Sequence, residues 1–172
     1  MPTSAPRIGL LLGPMFEDQE FIYPYYRLLE AGYQAVRLGT NGAAEFTGKH
    51  GVPMPADRQA SEVFAGDLAG IHIPGGYAPD HIRRDDVAVD LVRRLADDGK
   101  PIASICHGAW VLASADIVRG KRMTCFRGIK DDLVNAGADW VDEQTVVDGS
   151  LVTARKPADL PSYMRAFLEL LP

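Results

Sequence analysis

Residues 100–110 read KPIASICHGAW, and they place Cys106 beside His107 at the end of a short apolar run. A thiol becomes a nucleophile as its thiolate, which forms most readily at a helix N-terminus, where unpaired N–H groups and the helix dipole favour negative charge. A sharp strand-to-helix turn, a nucleophile elbow, would push Cys106 out of the backbone line. Such a crowded turn needs small neighbours, and Ser104, Gly108 and Ala109 supply them. Amide groups from Gly75 or Gly76 and from His107 would then face the oxygen of a carbonyl under attack. The plainer reading of Cys106 is a small hydrophobe in the core, since free cysteine is among the most buried residue types. His107 carries its own condition, because a side chain adjacent in sequence acts as a base only if the turn brings it round and a third group holds it.

Two further positions carry acids. Glu17 and Asp18 precede a helical pattern and suit its N-terminal dipole. If Glu17 is buried against the Cys106 sulfur, desolvation and a nearby anion both favour its protonated form, which would donate to the thiolate. Asp80, in PGGYAPD, reads equally as a turn or capping residue.

These residues need elements to position them. RIGLLLG (7–13) is a strand-length apolar run, and EDQEFIYPYYRLLEAG has Phe21, Tyr25, Leu28 and Leu29 near helical spacing, with Pro24 expected to kink the helix or break its first turn. YQAVRLG (33–39) reads as a strand, and TGKHGVPM (47–54) as a glycine-broken hairpin or excursion. GIHIPGG (70–76) is a third apolar run, followed by a helix over 85–99 with Val87, Leu91, Val92 and Leu95 on one face. PIASI and GAWVLASA form the next strand and helix; 122–126 reads as strand and KDDLVNAG (130–137) as a short helix. Asp148-Gly149 marks a hairpin, and PADLPSYMRAFLELL closes the chain as a helix burying Leu160, Met164, Phe167, Leu168 and Leu171. Alternating strands and helices predict an α/β three-layer sandwich with a mostly parallel central sheet, flavodoxin-like in kind. Ligands in such sheets bind beyond the carboxyl ends of the strands, which selects 13–17, 75–80 and 106–108 together.

With 172 residues, 47% hydrophobic and 24% charged, the chain is expected to form one domain over 1–172 that folds without staples. No apolar run approaches the roughly 20 residues of a membrane span. MPTSAPR lacks the regions of a secretory signal, so the expected location is the cytoplasm, with Cys106 and Cys125 as free thiols. The net charge of −5 is spread in short mixed clusters, and without a basic stretch interleaved with aromatics nucleic acid is a poor partner. No cofactor or metal is expected: PGGYAPD is not a dinucleotide fingerprint, and His50, His72, His81 and His107 lack ligand spacing. His72, inside an apolar strand, reads as a satisfied core residue.

FEDQEFIYPYYRL, TGKHG, IPGGYAPD, KPIASICHG, GIKDDLVNAGADWVD, VVDG and RKPADLP together resemble the PfpI family, within the superfamily that includes the parkinsonism-associated protein deglycase and class I glutamine amidotransferase domains. The resemblance covers nearly the whole chain. It implies a nucleophilic Cys106, a histidine partner at His107, a protonated glutamate near the sulfur at Glu17 and oxyanion donors around Gly75 and Gly76. It also implies a homo-oligomer, dimer or hexamer, in which an acid from a neighbouring subunit orients the histidine; Asp80 stands at that position, where the family pattern has Glu. Phe126 stands where the family often has tyrosine. The implied activity is that of a stress-response enzyme acting on reactive carbonyls or glycated adducts, of the glutathione-independent glyoxalase or deglycase type. The alternatives are an intracellular cysteine peptidase and a redox-sensing or chaperone-like stress protein.

Overall fold

The computed structural model describes residues 5–172, leaving the first four residues outside the description. Its strands are β1 (Arg7–Leu12), β2 (Gln34–Gly39), β3 (Glu45–Thr47), β4 (Pro53–Pro55), β5 (Arg58–Gln59), β6 (Gly70–Ile73), β7 (Ile102–Ile105), β8 (Arg122–Met123), β9 (Asp139–Trp140), β10 (Thr145–Asp148) and β11 (Leu151–Ala154). Its helices are α1 (Asp18–Glu30), α2 (Ala78–Ile82), α3 (Asp86–Asp97), α4 (Ala109–Ser114), α5 (Lys130–Asn135) and α6 (Leu160–Leu170). The central sheet runs β10-β11-β7-β6-β1-β2-β5. All its neighbouring pairs are parallel except the β10–β11 hairpin, where Gly149, at φ 61°, takes the left-handed turn that the Asp148-Gly149 signal predicts.

The chain leaves β1 for β2 on one side and returns to β6 on the other, so the order reverses at β1. The carboxyl ends of β1, β6 and β7 lie side by side there, and the connections that leave them form one rim. Both faces of the sheet are covered, which is why β6 and β7 are buried at every position.

Several side chains differ from the periodicity reading. Val87 is 50% exposed, and Ala88 takes its place with Leu91, Val92 and Leu95 on the buried face of α3. Leu29 is exposed, Tyr25 and Leu168 are half-buried, and Tyr163 of α6 is fully buried. The strand expected over 122–126 is only β8, which pairs with β9 outside the central sheet. The Thr124 amide bonds the Thr153 hydroxyl and the Phe126 amide bonds the Cys106 carbonyl, so this segment folds across the strand ends instead of joining a ladder. The 47–54 excursion is the antiparallel β3–β4 pair with its connecting loop, held to α1 because Asp18 accepts the amides of His50 and Val52.

Pro24 neither breaks nor ends α1, which continues to Glu30. Proline has no N–H, so the carbonyl four residues earlier, that of Glu20, loses its helical partner. His72 Nε2 takes that place at 2.7 Å.

Candidate active site

Cys106 sits directly after β7, at φ 59°, a left-handed conformation that costs a non-glycine residue roughly 1–3 kcal/mol. The turn Cys106–Gly108 then leads into α4. Small residues are required here: a Cβ on Gly108 would lie 2.7 Å from both the Ile73 carbonyl and the Ser104 hydroxyl. The turn therefore has the form of a nucleophile elbow, and its strain is concentrated at Cys106.

The elbow brings the neighbouring imidazole round. His107 Nδ1 lies 3.3 Å from Cys106 Sγ. Phe126 stacks on the ring with centroids 4.7 Å apart, and Trp110 meets it edge-on at 5.3 Å. Burial and the positive charge of Lys49 hold His107 below its ordinary pKa, so it is a neutral base near neutral pH. Phe126, where the resemblance expects a hydroxyl, thus orients the imidazole by stacking.

The glutamate that shares the sulfur's surroundings is Glu20, one helical turn beyond the residue expected from the sequence. Glu20 is fully buried, and its Oε2 accepts the Gly75 N–H at 2.8 Å. Burial, reinforced by the negative charge of Glu17, pushes its pKa up to about 8 against the opposing Gly75 N–H. Burial and the charge of an ionised Glu20 push the Cys106 thiol up, against the N–H groups of His107 and Gly76. Protonating Glu20 removes that repulsion and gives the carboxyl a hydrogen to donate, so the protonation states of Glu20 and Cys106 are linked.

Glu17 instead faces the cleft mouth, pairing with Lys49 Nζ at 3.3 Å and His50 Nε2 at 3.5 Å. Its contribution to the sulfur is indirect, through the charge that raises Glu20. Gly75 is corrected as well, since its amide is already bonded to Glu20 and is not free for an oxyanion. Gly76 and His107 are the residues whose N–H groups face the sulfur. Gly76 also needs to be glycine: it sits at φ 76°, and a Cβ there would run into the Glu17 amide and the Met15 carbonyl. Asp80 lines the same cleft but pairs with Arg84 at 3.0 Å; among the described residues no acid of the same chain hydrogen-bonds His107.

The signal for Glu20 was present in the sequence. Glu20 stands only three residues after Glu17 at the start of the same helical pattern, and Pro24 leaves the Glu20 carbonyl requiring an outside partner.

The cleft has a volume of about 320 Å³ and is lined by Cys106, His107, Glu17, Glu20, Lys49 and Trp110 among others. Glu17, Asp18 and His50 offer ligand atoms within 4.8 Å of one another. Both Asp18 oxygens, however, already accept amides, and Lys49 supplies Glu17 with a cation. Cys106 and Cys125 are both free and buried.

This arrangement coincides with a match to the DJ-1/PfpI family over residues 6–170. The chain belongs to that family. A deglycase of Pyrococcus abyssi is 44% identical over 165 residues, 96% of this chain and 99% of that protein. Protein/nucleic acid deglycase 2 of Escherichia coli K12 is 36% identical over 167 residues, covering 96% and 97%. Among solved structures, a two-domain protein of Anabaena variabilis with DJ-1/ThiJ/PfpI-like and ferritin-like domains superposes with a TM-score of 0.93 at 40% identity. That match covers 95% of this chain but 47% of the two-domain chain, so this chain spans about half of it. The PfpI resemblance and the mostly parallel α/β fold read from the sequence both hold. Among the described residues, no helix of this DJ-1/PfpI chain is long and apolar enough to cross a membrane.

Proposed function

We propose that this protein is a cytoplasmic, cysteine-dependent enzyme acting on reactive carbonyls, of the glutathione-independent glyoxalase or deglycase type. The observation that carries this reading is the Cys106 sulfur on a strained elbow, 3.3 Å from a neutral imidazole and coupled to a buried glutamate of raised pKa. A cleft of about 320 Å³ suits a small dicarbonyl.

In the opening step Cys106 Sγ bonds to the aldehyde carbon, and the carbonyl π pair moves to oxygen, stabilised by amide N–H groups. The oxygen takes a proton to give a hemithioacetal. His107 then removes the proton on that carbon and returns one to the adjacent carbon while the hydroxyl proton passes to the second oxygen, converting the adduct to a 2-hydroxy thioester. Water cleaves the thioester, releasing the 2-hydroxy acid and restoring the thiol. Glu20 supports the sulfur in its anionic form by holding the shared proton. A second copy of the chain supplies Asp80 to His107, which has no acidic partner among the described residues of its own chain.

The test is to offer purified protein methylglyoxal, a freshly formed methylglyoxal–cysteine adduct and a fluorogenic peptide. Lactate formation that disappears in Cys106→Ala supports the reading. Peptide cleavage without lactate would replace it with the peptidase reading, and no turnover of any of the three would refute catalysis on carbonyls.

A further inference from the structure

Glu20 is gripped twice by one strand and the turn that follows it. Its carboxylate accepts the Gly75 amide just beyond β6, and its backbone carbonyl accepts His72 Nε2 from within β6. The second grip exists because Pro24 cannot supply the helical N–H. The chemistry dictates the proton positions in this grip. A carbonyl oxygen only accepts, so Nε2 carries the hydrogen; His72 is fully buried and held neutral, down to about 4, by desolvation, so Nδ1 is an acceptor. Tyr163 lies 2.8 Å from Nδ1 and must donate its hydroxyl hydrogen there. Tyr163 is fully buried as well. Neither side chain lines the cleft.

We propose that His72 and Tyr163 are positioning residues for the Cys106–Glu20 pair: Tyr163 sets the His72 tautomer, and His72 holds the α1 backbone so that the Glu20 carboxyl meets Gly75 and the sulfur. Without the grip, a buried carbonyl is left unpaired. The first turn of α1 can then satisfy it only by moving, and that movement carries the carboxyl away from the Gly75 amide. The proposal rests on Cys106 being the nucleophile. The charged and titratable groups around the pair are Glu17, Lys49, His107 and Tyr163, with Asp80 and Lys156 also lining the cleft, and of these only Tyr163 hydrogen-bonds His72.

The test reads the sulfur directly, with no carbonyl substrate, so failure of the proposed activity and failure of this proposal are separable. In the full chain carrying Cys125→Ala, the rate of Cys106 alkylation by iodoacetamide is followed from about pH 5 to about pH 9. His72→Leu is expected to move the profile to higher pH by about one unit, roughly a tenfold slower reaction at neutral pH. Tyr163→Phe should move it less, in the same direction. Pro24→Ala restores a helical N–H to the Glu20 carbonyl, so Pro24→Ala with His72→Leu should recover most of the shift. A residue that only supports the core would lower the melting temperature without this selective recovery. A wild-type profile in folded His72→Leu, or no recovery in a folded double variant, overturns the proposal. If His72→Leu does not fold, an unchanged profile in Tyr163→Phe overturns it.

Discussion

Glu20 Oε2 accepts the Gly75 N–H at 2.8 Å, and this bond places the buried Glu20, not Glu17, in the surroundings of the Cys106 sulfur. Glu17 is held at the mouth by Lys49 and His50. Glu20→Leu removes the proton partner of the sulfur and leaves the Gly75 amide without its acceptor. A lost hydrogen bond to a charged group is worth about 1.5–3 kcal/mol, so methylglyoxal turnover should fall by roughly 10- to 100-fold. Glu17→Gln should stay within about threefold. Steady-state kinetics on both variants distinguish the two residues, and equal losses would contradict the assignment.

The raised pKa of Glu20 also ties stability to pH. Its ordinary value is 4.5 and its folded value about 8, so the folded protein binds this proton more tightly. The contribution is fully present below the ordinary value and is lost progressively as pH rises from 4.5 to about 8, levelling off above that. Glu20→Gln cannot ionise. Its melting temperature minus that of wild type should therefore increase across this window, and scanning calorimetry at several pH values would reveal a flat difference if Glu20 were ionised throughout.

The two thiols should respond differently to peroxide. Burial pushes both thiols up, but Cys106 opens onto the cleft with His107 beside it, whereas Cys125 is 1% exposed and lines no part of that cleft. Mild peroxide should convert Cys106 to sulfenic or sulfinic acid first. Peptide mass spectrometry finding Cys125 oxidised first would count against the cleft cysteine as the reactive one. In the same protein Cys106→Ala should abolish carbonyl turnover, and Cys125→Ala should leave it within about twofold.

Among the described residues the Asp80 side chain is engaged only by Arg84, at an exposed pair that is worth little and easily exchanged. If a second copy completes the site, Asp80→Ala and Cys106→Ala should each be impaired alone. Co-refolded mixtures of equal amounts should regain about one quarter of wild-type activity, because that share of sites combines an intact elbow with an intact acid. Light scattering must first establish that mixed oligomers form. Absence of recovery in them would remove Asp80 from the mechanism.

Much of this architecture follows from local pattern. Short apolar runs closed by glycine, alternating with amphipathic helices, specify a parallel sheet, and the crowding of small residues around Cys106 specifies the elbow. Those features depend on neighbours in sequence, and they suffice to bring 13–17, 75–80 and 106–108 to one rim. The Asp148-Gly149 hairpin is equally local, because its turn needs only a residue tolerant of positive φ.

What the pattern left open were rotations and crossings between elements. Glu17 caps α1 and Glu20 lies in its first turn, and the roll of α1 that sends Glu20 inward is set by the packing of Phe21 and Leu28 and by the grip of His72 on a carbonyl freed by Pro24. Gly75 looked like an oxyanion donor until that roll assigned its amide to Glu20. The segment 122–126 has the composition of a strand, yet Thr153 and Cys106, from distant parts of the chain, take its amides. Sequence alone determined the fold and the rim where chemistry belongs, since both arise from short-range periodicity. Tertiary structure alone decided which carboxylate meets the sulfur, because hydrogen bonds across elements depend on how a whole helix seats on the sheet.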